Sequence, residues 1–419
     1  MLKISGKQKL SGTVAISGAK NAAAPIISAA LMFKKSTLHN VPRISDVKNL
    51  IDIIRTMGVE ATFEGNDLTL EWKTPNDATI DRERMKKIRI SILLLPALLS
   101  QFGRAVFPFP GGCNLGKRPI GEHIAGLMDL GYELTGQEEL FELFGSKRSG
   151  EIHLKANAMV TATENLLTAS VLRDGVTYIH NAAYEPHVID LVNFFRAQGI
   201  EIETRYDHVI VIKGVTELPE HAEYTVAYDY LESGTFVVIG ALASEKYIDI
   251  EHACIPDLNR FLERLSVAGV HTEDLGNDTL RVYRAEHLKA IDVQTNVFPG
   301  VPSDLQSPLA ILLTQADGIS RIHEVLYEGR FNYLLELEKM KGHVAVLNPH
   351  EALLFGPTPL RAATVSSWDL RAGAAMIVAG LIAEGETFVT NVEYIDRGYE
   401  DIIGKLTKLG AHIEYVEVA

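Results

Sequence analysis

Six glycines recur about 70 residues apart along this chain of 419: Gly58, Gly131, Gly199, Gly269, Gly342 and Gly410. Thr56-Met57-Gly58-Val59-Glu60, Ala197-Gln198-Gly199-Ile200-Glu201 and Lys408-Leu409-Gly410-Ala411-His412 show the common pattern. A helical segment ends, a glycine follows, and the next residues alternate with period two. The glycine predicts a left-handed helix C-cap and the alternation predicts a strand. In phase with these caps, residues 22–32, 163–172, 234–243 and 370–383 are dense in Ala, Ile, Leu and Val. Helices so apolar on every side belong inside a domain. Residues 90–99 read the same way, as a buried helix interrupted by Pro96 and too short to span a bilayer. Each unit thus supplies two helices and about four strands, which sets the class as α/β. The period is longer than that of ordinary solenoids, so six units predict two similar domains of three rather than a rod. No Pro/Gly/Ser linker marks the join, and repeat phase alone places it near residues 227–230.

Composition narrows the function. The chain is too long for one ordinary core, and 47% apolar with 22% charged residues suits a large one. A net charge of −14 argues against general nucleic-acid binding, though a locally basic site for small anions is compatible with it. Two cysteines, Cys113 and Cys254, make no disulfide framework and suit a reducing compartment. Residues 1–10 contain no apolar run of the signal-peptide kind. The expectation is a cytoplasmic protein with no membrane partner.

Chemistry is suggested at four places. In Ser17-Gly18-Ala19-Lys20-Asn21, Gly18 frees a strand-to-helix turn and Lys20 stands near the helix start. The helix dipole favours anions there, so Lys20 either helps bind one or is simply solvated. In Pro108-Phe109-Pro110-Gly111-Gly112-Cys113-Asn114-Leu115-Gly116-Lys117-Arg118-Pro119, glycines and prolines mark a loop. Two nearby cations favour a reactive thiolate at Cys113, with a structural loop cysteine as the second reading. Cys254 has no clustered cations and reads as a small buried hydrophobe. Arg89, Arg330, Arg371 and Arg397 stand singly at apolar or glycine-rich places. Converging guanidinium forks suit a substrate with both carboxylate and phosphate, and paired structural arginines are the alternative for each. Asp304, in Val301-Pro302-Ser303-Asp304-Leu305-Gln306, stands where a helix N-cap is expected, with a general base as the second reading. There is no Walker or dinucleotide fingerprint, and no close Cys or His spacing for a metal.

Taken in order, Ser17–Asn21, Pro110–Cys113, Arg118-Pro119, Gly234-Thr235-Phe236, Asp369-Leu370-Arg371-Ala372 and Ile395-Asp396-Arg397-Gly398-Tyr399-Glu400 resemble the UDP-N-acetylglucosamine 1-carboxyvinyltransferases. The resemblance runs over essentially the whole chain. It implies the two-domain enolpyruvyl transferase fold, an inside-out α/β barrel of six βαβαββ units. Residues 1–19 with 228–419 would form one domain and 20–227 the other, with the active site in the cleft between them. It implies transfer of the enolpyruvyl group of phosphoenolpyruvate to the sugar 3-hydroxyl of UDP-N-acetylglucosamine. Phosphate leaves by addition and elimination, without metal or organic cofactor. The enzymes of this family open peptidoglycan synthesis.

The resemblance also assigns roles. Cys113 protonates the methylene carbon, adds covalently to phosphoenolpyruvate and is the residue alkylated by fosfomycin. Asp304 accepts the hydroxyl proton. Lys20, Arg118 and Arg397 suit the phosphate, and Arg330 and Arg371 the carboxylate. Asn21, Arg89, Asp304 and Leu326 contact the UDP-sugar, and Asp369 joins the substrate-binding set. The implied state is a monomer or weak oligomer with small-molecule partners only.

The chain departs from the family pattern at Tyr230, where arginine is usual, at Gly121, where an acid is usual, and around residues 157–160. These positions leave a different nucleotide sugar open as acceptor. A non-catalytic paralogue is the reading from another class. Retention of Lys20, Cys113, Arg118, Asp304, Arg371 and Arg397 together speaks against it. The shikimate-pathway enolpyruvyl transferase lacks the cysteine loop.

Overall fold

Segments without a polar face become the inner helices. In a computed structural model describing residues 1–417 except 75–79, 81, 86–87, 109–119, 138–139, 146–147 and 156–158, the chain divides into two compact units. One comprises residues 1–17 and 228–419, the other the described residues of 18–227. In the first, helices Tyr230–Ala243, Gln306–Thr314 and Leu370–Ile382 pack on one another. Every residue of Tyr230–Ala243 and of Gln306–Thr314 is buried. In the second, Lys20–Ala30, Leu95–Phe102 and Val160–Val171 make the same trio. Each fully buried Leu or Ile in these helices contributes roughly 1.5–3 kcal/mol relative to exposure.

The helix expected over residues 90–99 is split. Arg89–Leu94 winds as a 3₁₀ helix and Leu95–Phe102 as an α-helix with Pro96 in its first turn. Proline has no N–H to give, so it belongs where a helix begins and not within one.

The second helix of each repeat is amphipathic. Ile255–Val267, for example, turns Leu258, Phe261 and Leu265 inward. The closing glycine then reverses the chain. Gly58, Gly131, Gly199, Gly269 and Gly410 have φ between 86° and 97°. Gly342 departs from the expectation: Lys341 takes the left-handed conformation at φ 66°. A Cβ on Gly342 would stand 2.9 Å from the Leu337 carbonyl oxygen, so close approach accounts for the glycine there.

Six sheets surround the helix trios, three in each unit. Five hold a parallel pair beside antiparallel strands, as in Leu10–Ala15 beside Ser244–Glu251, continued by Thr279–Tyr283 and Thr272–Asp274. Among the described residues the sheet of Arg104–Pro108, Leu140–Gly145 and Tyr132–Gln137 is antiparallel throughout. Three sheets take a strand from far along the sequence. Leu2–Ser5 runs antiparallel between Glu386–Thr390 and Ile413–Tyr415. Leu10–Ala15 pairs with Ser244–Glu251, and His221–Thr225 with Lys35–His39. The chain passes between units after Ser17 and after Ala227. On one side the Asp229 N–H donates to the Ser17 carbonyl at 2.9 Å, and on the other Ala19 donates to Ala227 at 2.7 Å.

Candidate active site

The first unit gathers charges around Asp304. Its carboxylate was expected to cap the helix that follows. Instead Leu305 occupies the cap position of Gln306–Thr314, and no side chain caps it. A 3₁₀ turn, Ser303–Leu305, aims Asp304 at two arginines. Arg330 Nη2 donates to its Oδ1, and Arg371 Nε to its Oδ2 at 3.2 Å. Both guanidinium groups are buried, at 4% and 3% side-chain exposure, while Asp304 retains 29%. Arg330 Nε also donates to Ser303 Oγ at 3.1 Å, and its Nη1 lies 4.0 Å from Asp369.

Burial works against the charge on each arginine, and the surrounding anions outweigh it. Asp304 and Asp369 leave Arg330 with a pKa above the ordinary arginine value. Tyr399, Asp304 and Asp229 do the same for Arg371. Both are therefore cations. Arg371 Nη1 and Nη2 have no hydrogen-bond partner among the described residues. A buried donor left unpaired costs about 1–3 kcal/mol.

Local structure explains the placement. Asp369 caps Leu370–Ile382 by accepting from the N–H groups of Arg371 and Ala372, which fixes Arg371 in the first turn. The Arg371 guanidinium lies over the Tyr399 ring, 5.0 Å from its centroid. Tyr399 in turn meets Thr235 Oγ1 through its hydroxyl at 2.9 Å. Three separate motifs, around Thr235, Arg371 and Tyr399, thus converge. Arg397 ends the neighbouring 3₁₀ turn Val392–Arg397 and is half-buried.

Sequence reading missed Glu324, which no motif contains. It is fully buried and accepts from Ser303 Oγ at 2.7 Å and from the N–H groups of Leu326 and Tyr327 at 2.9 and 3.3 Å. Glu324 thereby fixes the Leu326 backbone and, through Ser303, one face of Arg330. Its only trace in sequence is an acid in the otherwise uncharged run His323-Glu324-Val325-Leu326.

In the second unit, Lys20 opens Lys20–Ala30 with Asn21 beside it. Lys20 is not solvated: its Nζ lies 2.8 Å from Asp46 Oδ2, with side-chain exposures of 13% and 3%. Gly18 does more than loosen the turn, because a Cβ there would fall 1.8 Å from the Asn40 carbonyl oxygen. Just before it, in the first unit, Ser17 is held by Glu232 and Lys405. Its N–H donates to Glu232 at 2.8 Å, and Lys405 Nζ donates to Ser17 Oγ at 2.7 Å and to Glu232 at 2.6 Å. Arg89 begins the 3₁₀ helix Arg89–Leu94. Cys113 and Arg118 lie outside the described residues. Cys254 is half-buried, with Sγ 3.3 Å from the Tyr228 carbonyl, and burial followed by nearby acids pushes its thiol pKa up, in keeping with an unreactive role.

Glu164, in Val160–Val171, is 2% exposed, and its Oε1 has no partner among the described residues. Burial, then Glu185, holds its pKa well above the ordinary glutamate value. The folded chain therefore keeps a proton that the unfolded chain releases. The resulting stability is fully present below the unfolded pKa. It is lost as pH rises toward the folded pKa, at about 1.4 kcal/mol per pH unit. Glu164→Gln removes this dependence. Denaturant midpoints should move in favour of the variant, relative to the parent, between about pH 5 and about pH 7. A gap that stays constant with pH would contradict the buried neutral acid.

Residues 4–406 match the EPSP synthase (3-phosphoshikimate 1-carboxyvinyltransferase) family. UDP-N-acetylglucosamine 1-carboxyvinyltransferase 2 of Bacillus subtilis is 38% identical over 414 residues, covering 98% of this chain and 96% of that protein. Enzyme 3 of the same name from Caldanaerobacter subterraneus is 40% identical over 412 residues, 98% of each chain. The chain belongs to the EPSP synthase family and, within it, to the UDP-N-acetylglucosamine 1-carboxyvinyltransferases.

Family members are enolpyruvyl transferases acting on small molecules, and the fold agrees. The enolpyruvyl transferase NikO from Streptomyces tendae superposes with a TM-score of 0.90 at 26% identity, covering 100% of this chain and 99% of that one. EPSP synthase from Acinetobacter baumannii gives 0.75 at 18% identity over 99% of both chains, a likeness of fold alone. The departure from family pattern at Tyr230 is a core substitution, since Tyr230 is 6% exposed within Tyr230–Ala243. Gly121, the other departure, opens Gly121–Asp129 with none of the described residues within 4 Å of where a Cβ would stand. Among the described residues no helix is long and apolar enough to cross a membrane.

Proposed function

We propose that this chain transfers the enolpyruvyl group of phosphoenolpyruvate to the 3-hydroxyl of UDP-N-acetylglucosamine, releasing phosphate in the first committed step of peptidoglycan synthesis. Family membership supports the reaction. The geometry supports it through one observation above the others: two buried guanidinium groups share Asp304, and one of them has both Nη atoms unpartnered among the described residues. Such a pair suits a carboxylate.

In this reading the carboxylate of phosphoenolpyruvate takes over Arg371 and Arg330. Asp304, relieved of both partners, accepts the proton of the sugar hydroxyl. Cys113 delivers a proton to the methylene carbon, which makes C2 cationic, and the sugar oxygen bonds to it. The tetrahedral adduct then loses a proton from its methyl group and expels phosphate, restoring the enol ether. Lys20, Arg118 and Arg397 hold the phosphate, so Lys20 exchanges Asp46 for the substrate as it binds. Asn21, Arg89 and the Leu326 backbone orient the sugar nucleotide, and Asp369 keeps Arg371 in place. These steps combine proton transfers with the making of one C–O bond and the breaking of another under electrostatic stabilisation, and they use no metal or organic cofactor. Two cysteines and acidic charge suit work in the cytoplasm.

Phosphate release with both substrates tests the reaction. Release that requires a different UDP-sugar would overturn the acceptor, and no release with any would overturn the transfer. Cys113→Asp keeps an acid in the loop while removing the thiol. It is expected to retain phosphate release and to resist fosfomycin. Covalent inactivation of that variant would show that the inhibitor reacts elsewhere.

A further inference from the structure

In the second unit, strand Glu151–His153 is the edge of its sheet and runs parallel to Val176–His180. Register sets His153 beside His180 and Ile152 beside Ile179. Side chains alternate along strands, so the two isoleucines face inward, at 1% and 0% exposure, and Glu151, His153 and His180 share the outer face. The two imidazoles stack with centroids 4.2 Å apart and planes within 8°. Glu151 Oε2 lies 3.4 Å from His153 Nε2 and 3.9 Å from His180 Nε2. One ligating atom from each residue falls within 4.8 Å of the others.

We infer that Glu151, His153 and His180 form a surface site for one transition-metal dication of the zinc class. Two imidazoles and a carboxylate are a donor set that zinc accepts, with bonds of about 2.0–2.2 Å. A tetrahedron with such bonds has edges of roughly 3.4 Å, close to the separations between Glu151 and the two rings. Parallel rings direct their in-plane lone pairs into separate planes, so binding one ion requires the two imidazoles to unstack and turn toward each other. Exposures of 65% for Glu151 and His153 leave the ion a path in and a fourth position open to water or another ligand, while His180 Nε2 is shielded and has no hydrogen-bond partner among the described residues. The site uses none of the residues assigned to enolpyruvyl transfer. It was invisible in sequence because His153 and His180 stand far apart and only strand pairing joins them. The bound ion would tie the edge strand to its neighbour.

Zinc titration of the intact protein by calorimetry, repeated with cobalt and read by visible absorption, tests the site. One ion per chain is expected, with a tetrahedral cobalt spectrum lacking thiolate charge transfer. Glu151→Gln should weaken binding by about tenfold, and His153→Ala with His180→Ala should abolish it. Thermal unfolding in chelator should match between parent and variants, since the substituted side chains are at the surface. Zinc should raise the transition of the parent only. No zinc binding to the parent would overturn the site, as would unchanged affinity in the double variant.

Discussion

Asp304→Asn is expected to lower turnover by about two to four orders of magnitude, the range a positioned proton acceptor supplies. Phosphoenolpyruvate should bind that variant at least as tightly as the parent. The reason lies in the resting arrangement, where Asp304 occupies Arg330 and Arg371 with both carboxylate oxygens. Asparagine keeps the shape but withdraws the negative charge, so the substrate carboxylate meets less competition for the two cations. The signature is a collapse in kcat with a KM for phosphoenolpyruvate that is unchanged or lower. Steady-state phosphate release measures both. A kcat within tenfold of the parent would exclude Asp304 as the proton acceptor. A large rise in KM would mean that its charge serves mainly to hold the site together.

Arg371→Lys should show the opposite division. The charge remains, yet the planar fork is lost, and a lysine cannot reach Asp304 through one edge while offering two further donors to a ligand. The KM for phosphoenolpyruvate is expected to rise by about one to two orders of magnitude, the worth of a charge-assisted hydrogen bond lost with the fork. Stability should fall by roughly 1–3 kcal/mol, because the guanidinium also fills space over Tyr399. Phosphate-release kinetics and denaturant midpoints report the two effects separately. An unchanged KM would remove Arg371 from the carboxylate site. Asp369 caps the helix that carries Arg371 and lies 4.0 Å from Arg330.

Much of the architecture was legible in sequence because the repeat is written in local signals. Helices such as Tyr230–Ala243 declare their burial through composition, and most closing glycines declare a positive φ. Gly342 misled because a glycine kept for close approach looks the same as one kept for its backbone angle. The three exchanged strands were hidden because pairing Leu2–Ser5 with Glu386–Thr390 is a long-range event with no short-range mark. In the site, Asp304 could not be told from a helix cap, since both need an acid just before an apolar run. What distinguished them was the arrival of Arg330 and Arg371 from later segments. Asp46 and Glu324 were missed for a related reason: a buried acid is recognised by its partners, and those are distant in sequence.

The strand Leu2–Ser5 also sets an order of assembly. It is made well before both of its neighbours, which lie beyond residue 385. The unit spanning 18–227 needs no residue beyond His221–Thr225 to finish its sheets and can settle while synthesis continues. The unit holding Asp304, Arg330 and Arg371 keeps an open sheet until residues 413–415 arrive. A chain cut short before that point would carry every arginine of this cluster and still lack the finished scaffold that holds them against one carboxylate.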